Sequence, residues 1–153
     1  MQLSSRSFAH GQSIPVEYTC DGADRSPHLA WSDVPEGTES FVLIMDDPDA
    51  PIGTFTHWVV YDIPADVTEL TQNVPKVPDW NGIKQGYNDF RRIGYGGPCP
   101  PRGHGPHRYF FRLYALNIRT LGLPAGARRR EVETRMQGHV LATAEYMGTY
   151  ERK

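Results

Sequence analysis

Three stretches of the chain are apolar on consecutive positions rather than on alternate ones. They are Phe41-Val42-Leu43-Ile44-Met45, His57-Trp58-Val59-Val60-Tyr61-Asp62-Ile63 and the long aromatic run His107–Leu116. A strand that is hydrophobic on both faces must be covered from both sides, so these runs predict the central strands of a packed sheet. Shorter strand candidates are Gln2–Phe8, Val16–Cys20, His28–Trp31 and Ile83–Tyr87. One segment shows a helical period. Val132, Met136 and Val140 recur every fourth residue and predict a helix over about Arg128–Ala144, with Pro124 and Gly126 ahead of it and Gly138 as an unfavourable interior residue. A short last strand is expected over Glu145–Tyr150. The stretch Pro64–Gly82, with Pro75 and Pro78, reads as surface loop. Gly94–Pro106 carries five Gly and four Pro in thirteen residues, which excludes helix and central strand. So long a loop inside a compact domain is more often functional than not. Many strands with one or two short helices predict a mainly β fold, an antiparallel β-sandwich, as a single domain over residues 1–153.

Composition narrows the partners. A chain of 153 residues is one ordinary domain. Its 16 basic and 18 acidic residues leave a net charge of −2, which argues against nucleic acid and against docking on anionic membranes by charge alone. The longest wholly apolar run, Phe41–Met45, has five residues, against the roughly 20 a membrane helix needs, so no integral membrane association is expected. Met1–Phe8 lacks the apolar stretch of a signal peptide. A cytoplasmic location is the default expectation, although a processed secreted protein would read the same. Cys20 and Cys99 stand far apart with no C-x-x-C pattern. Two readings stay open for them, a pair of reduced thiols or one long-range disulfide, and only the fold decides between them.

The candidate chemistry lies at strand ends. Asp47 follows Phe41–Met45 directly, in Asp46-Asp47-Pro48-Asp49-Ala50-Pro51, and continues the face of Phe41, Leu43 and Met45. His57 opens the second strand and by strict alternation shares a face with Val59, Tyr61 and Ile63; His107 opens the third and shares a face with Tyr109 and Phe111. A lone histidine is more often a hydrogen-bonded structural residue than a ligand-binding one. Two of them with an aspartate, beside a Gly/Pro loop whose amides can cradle an anion, form a pattern suited to a small anion such as phosphate. A zinc site of His57, His107 and Asp47 lacks any helical H-x-x-x-H spacing, and His104-Gly-Pro-His107 is interrupted by Gly105-Pro106. No G-x-S-x-G marks a nucleophile. The run Arg128-Arg129-Arg130 reads as a solvated helix start, somewhat disfavoured by the helix dipole.

Several segments together resemble the phosphatidylethanolamine-binding protein family. They are Asp47-Pro-Asp-Ala-Pro51, His57-Trp58-Val59-Val60, Pro100-Pro-Arg-Gly103 and Gly105-Pro-His-Arg-Tyr109. Tyr18-Thr-Cys-Asp-Gly22 and Ser26-Pro27 before Trp31 look like its bacterial and archaeal, Raf kinase inhibitor-like branch. Gly138-His-Val-Leu-Ala142 and Gly148-Thr-Tyr150 extend the resemblance over nearly the whole chain. The resemblance implies a two-sheet β-sandwich with a small pocket for phosphate-like anions and phosphorylated head groups. Its ligand-binding residues would be Asp47, Asp49, His57, Cys99, Pro101, His107 and Tyr109, with loop amides at Cys99–Gly103 completing the cradle. It further implies a cis peptide near the Asp-Pro segment, for which Ala50–Pro51 is the candidate, and a homodimer of the microbial kind. Phe55 stands where animal members tend to carry Trp, and their long C-terminal helix has no counterpart, so animal-type kinase regulation is not carried over. The expected function is non-enzymatic binding of a small phosphorylated ligand, with no cofactor and no metal. The alternatives are a general acid–base hydrolase using the same two histidines, and a kinase or protease inhibitor acting through the 94–106 loop.

Overall fold

The computed structural model describes residues 1–153. Two antiparallel sheets face each other. The smaller joins β1 (Gln2–Ser4), β2 (Leu29–Ser32) and β5 (Glu69–Leu70). The larger has six strands in the order β6 (Asp79–Trp80), β7 (Ile83–Gln85), β4 (Phe55–Pro64), β3 (Ser40–Asp47), β8 (His107–Leu116) and β9 (Val140–Tyr150). One helix, α1 (Arg129–Met136), completes it. No helix is long and apolar enough to cross a membrane.

The doubly apolar runs are the reason β3, β4 and β8 sit at the centre. Phe41, Leu43 and Met45 point into the core between the sheets, with Trp58, Val60, Tyr109, Phe111 and Leu113. Val42 and Ile44 point the other way and pack with Val59, Tyr61, Val132 and Met136 under α1. Each residue of β3 is therefore buried.

Four expectations need correction. The helix stops at Met136, not Ala144, because Gly138 takes φ +81°, the left-handed conformation that ends helices. The chain then extends, and Val140–Tyr150 pairs with β8, so Val140 is an exposed strand residue and not part of a helical stripe. Val16–Cys20 is not a strand: Val16–Tyr18 forms a 3₁₀ turn in which the Tyr18 and Thr19 amides donate to Pro15 and Val16. The 64–82 stretch is not all loop. It contains β5 and β6 and buries Leu70 and Val74, each a lone apolar residue among polar ones. All peptide bonds are trans, Ala50–Pro51 included.

Cys20 and Cys99 are joined in a disulfide, with Cα atoms 5.4 Å apart across 79 residues of sequence. The bond ties the Gly/Pro loop to the 3₁₀ turn. The two segments are also joined by hydrogen bonds from Cys20 N to the Pro98 carbonyl (3.1 Å), from the Tyr95 hydroxyl to the Tyr18 carbonyl (2.6 Å) and from Gly97 N to Asp24 Oδ1 (2.8 Å).

Candidate functional site

The C-terminal end of β3, the start of β4 and the start of β8 lie side by side. Beside them a cavity of about 360 Å³ opens, of the size of a small-molecule site. Asp47, His57, Cys99, Pro101, His107 and Tyr109 all line it. Its outer wall is apolar, formed by Pro51, Ile52, Phe55, Phe90 and Pro100. Asp49 does not line it. The Arg108 amide, Nε and Nη2 donate to the Asp49 carboxylate at 2.8–2.9 Å. The side-chain bonds from Arg108 are the largest cause that lowers the Asp49 pKa to about 2.

His57 reaches this face through an irregularity. Met45 pairs with Trp58 but Asp46 pairs with Thr56, so His57 is an extra residue, a β-bulge. Alternation alone would have turned it with Val59 and Tyr61 toward α1; the bulge turns it to the same side as Trp58. A second shift between Phe41 and Leu43 restores Ile63 to the core between the sheets. The predicted shared face of His57 with Val59, Tyr61 and Ile63 is thus wrong, and the reason is these two bulges.

The His57 ring is wedged among aromatic rings, Phe55 at 4.9 Å, Tyr109 at 5.2 Å and Phe90 at 5.4 Å between centroids. Burial pushes its pKa below the usual imidazole range, although the Gly96 carbonyl pulls it up. The neutral ring therefore carries its proton on Nδ1, which donates to Gly96 O at 2.6 Å. Its Nε2 is left as a hydrogen-bond acceptor.

His107 is held at both ends. Its Nδ1 lies 2.6 Å from Asp47 Oδ2, a pair in which both side chains are almost wholly buried. Its Nε2 lies 2.6 Å from Nδ1 of the exposed His104. The result is a continuous chain from a buried carboxylate through two imidazoles to solvent. Asp47 Oδ1 also accepts the Asp49 amide at 2.8 Å. The sequence reading set the 104/107 pair aside because Gly105-Pro106 forbids a helix. A tight turn, with the His104 amide donating to Pro101 O, brings the rings together instead.

Tyr109 is different from every other polar group here. It is fully buried and its hydroxyl has no hydrogen-bond partner. Burial first, then the charge of Asp47 and the approach of its carboxylate to the hydroxyl, push its pKa well above the phenol value, so it remains a proton donor.

The loop amides contribute less than expected. Within Cys99–Gly103, the Gly103 amide donates to Arg152 O and prolines 100 and 101 have no N–H, which leaves the Cys99 and Arg102 amides free. Residues 94–98 are buried behind the cavity, Cys99, Pro100 and Pro101 line it, and Pro101–His104 are exposed at its rim. The remaining lining hydroxyl is Thr54, and the one sulfur is locked in the disulfide. No cluster of ligating side chains has the arrangement of a metal centre. Sequence reasoning passed over the Phe90 ring and the Gly96 carbonyl, for which no local pattern gives a signal.

Comparison with known proteins shows the family and the fold. The family model described as phosphatidylethanolamine-binding protein matches residues 4–151. A UPF0098 protein of Aquifex aeolicus is 66% identical over 152 residues, covering 99% of this chain and 89% of that protein. The solved structure of YbcL from E. coli, described as a member of the mammalian PEBP family, superposes with a TM-score of 0.91 at 37% identity, covering 99% and 98% of the two chains. A PEBP homolog from Chlamydia trachomatis gives 0.89 at 40% identity, covering 99% and 97%. The chain belongs to the phosphatidylethanolamine-binding protein family.

Proposed function

We propose that the cavity binds a small group that presents both a hydrogen-bond acceptor and a proton, such as a singly protonated phosphate or a phosphorylated head group, and that it does so without turnover. The observation that carries this is the orphaned Tyr109 hydroxyl. A buried donor without a partner costs about 1–3 kcal/mol, and a ligand oxygen removes that cost. The neutral His57 Nε2 then accepts the ligand's proton, and the apolar outer wall receives whatever carbon chain the head group carries. His107 is oriented by Asp47 and meets the ligand directly only when His104 swings away. Nucleophilic hydrolysis is disfavoured because no Ser, Lys or free Cys lines the cavity and the Thr54 hydroxyl is hydrogen-bonded to no base. The disulfide also bears on location. Such bonds persist in oxidising compartments and inside hyperthermophile cells. A cytoplasmic setting therefore suits this chain only in a cell of the latter kind.

The test is Tyr109→Phe, which removes one oxygen and keeps the ring. The ligand-free protein should melt at the same temperature or slightly higher, since nothing loses a partner. Affinity for O-phosphoethanolamine in calorimetry should fall tenfold or more. Unchanged affinity would show that no ligand atom meets this hydroxyl.

A further inference from the structure

The arginine run at the head of α1 plays no part in the cavity just described, and it is not simply solvated. A second, separate groove of about 540 Å³ lies on the other side of the Phe90 turn, lined by Tyr87, Asn88, Asp89, Arg91, Arg128 and Arg129. Its two walls are fixed by backbone. The Tyr87 amide donates to Ala127 O at 3.0 Å, the Gly126 amide to Gln85 O at 3.0 Å, and Tyr87 bridges to Arg128. The approach is so close that a Cβ on Gly86 would stand 2.1 Å from the Ala127 carbonyl oxygen. Only glycine fits there.

The opposite wall is a rigid turn built on Asn88, a buried side chain with its hydrogen bonds filled. Its Oδ1 accepts from Phe90 N at 2.9 Å and Arg92 N at 3.3 Å, and its Nδ2 donates to Gly94 O at 2.9 Å. This turn holds Arg91 at φ +65°, a left-handed conformation that glycine or asparagine adopts far more readily than arginine. An arginine kept in a glycine conformation on a rigid turn is a candidate for function.

The charges in the groove do not balance. Arg129 is committed to Asp46 at 2.9 Å and Glu133 at 3.3 Å, and the Asp89 carboxylate is used by Thr56 N at 2.7 Å. Arg91 and Arg128 have no carboxylate at ion-pairing distance, whereas Arg108, Arg112 and Arg152 all have one. Arg128 and Arg129 also stand at the positive end of the α1 dipole, where cations are unfavourable, and the Glu131 carboxylate already takes the Arg128 amide at 3.0 Å. Two guanidinium groups without a carboxylate partner and a half-exposed tyrosine therefore share one rigid groove, in which Asp89 is the one acidic side chain.

We propose that this groove is a second anion site, independent of the Tyr109 cavity, for a ligand that carries a diphosphate or comparably dense phosphate charge. Arg91 and Arg128 grip its oxygens in paired hydrogen bonds, the geometry that guanidinium groups favour with phosphate.

The probe is inorganic pyrophosphate, titrated at 150 mM NaCl while the arginine Nε–H signals are followed by NMR. Signals of Arg91 and Arg128, assigned by their loss in Arg91→Gln and Arg128→Gln, should shift saturably. Each variant should weaken binding by tenfold or more, and Tyr109→Phe should leave it intact. Arg91→Gly should lose the same affinity while its melting temperature holds or rises by a few degrees, because the left-handed strain is relieved. The proposal fails if neither arginine signal moves, or if Tyr109→Phe abolishes binding that the arginine variants retain, which places pyrophosphate in the cavity. It also fails if Arg91→Gly melts lower than the parent, which makes Arg91 a structural residue. Loss of Tyr109-dependent head-group binding alone leaves this groove untouched, so the two readings fail separately.

Discussion

Reduction of the Cys20–Cys99 bond should lower the melting temperature by about 10–15 °C while changing head-group affinity less than threefold. The bond closes a loop across 79 residues. By chain entropy alone, such a closure stabilises a protein by ~4.5 kcal/mol. At roughly 2–4 °C per kcal/mol for a chain of this size, that gives the expected shift. The cavity should survive because the same two segments remain joined by the Cys20–Pro98, Tyr95–Tyr18 and Gly97–Asp24 hydrogen bonds. Gly96, whose carbonyl sets the His57 tautomer, sits among these bonds and not at the sulfur. The effect thus lies chiefly in the unfolded chain, so the denaturant m-value should rise on reduction. Thermal and urea melts of oxidised protein and of a Cys20→Ala/Cys99→Ala variant measure both quantities. A variant that melts normally but no longer binds would show that the bond shapes the cavity directly.

Asp46→Asn should be the costliest conservative change near the site, at about 2–3 kcal/mol, or about 5–10 °C in melting temperature. Asp46 and Asp47 are neighbours on β3 that point to opposite faces. Asp46 is buried and accepts from Arg112 Nε and Nη2, both at 3.0 Å, and from Arg129 Nη1 at 2.9 Å. The amide keeps the shape but removes the charge, leaving two guanidinium groups short of a partner. Their partial exposure, 24% and 22% of the side chain, and their remaining contacts with Glu145 and Glu133 hold the cost below that of a fully buried pair. The variant should also loosen α1, because Arg129 is the helix residue that reaches across to β3. Urea denaturation followed at the far-ultraviolet helix signal checks it. A loss under 0.5 kcal/mol would mean that solvent already screens these pairs.

How much of this was readable in the chain depends on what each segment has to satisfy. Runs such as Phe41–Met45 had to be central strands, since both faces needed cover, and they are. Val132, Met136 and Val140 misled because a four-residue spacing fits either a helix or, as it turns out, a helix that stops and a strand that starts. Gly138 decides between them through a backbone angle that sequence does not show. The residues at the strand ends were legible as chemistry, and the fold brings Asp47, His57, His107 and Tyr109 to one cavity. The route by which His57 gets there was not legible. A bulge is a property of how β3 and β4 register with each other, and it inverts the side on which every preceding residue falls. The contact of His104 with His107 was not legible, because it depends on the non-helical path of Gly105-Pro106, and it belongs to no metal cluster. The cysteine question stayed open for the same reason as the bulge, since it is a distance across 79 residues.

The central claim is that the cavity takes an anion through a tyrosine donor and a neutral imidazole acceptor. It follows that the ligand must bring its own proton. Sulfate, which carries none near neutrality, should bind poorly where a phosphate monoester binds well, and the monoester should weaken as pH rises through the loss of its last proton, near 6. Burial lowers the His57 pKa, which disfavours the charged ring as the source of that proton. The decisive measurement is calorimetry of sulfate and O-phosphoethanolamine against the same protein between about pH 5.5 and 8. The monoester favoured by tenfold or more at the acid end, with the preference shrinking as pH rises, is the expected result. Equal affinity for the two anions at every pH would mean that a charged histidine grips them both, and would contradict the assignment of His57 as an acceptor.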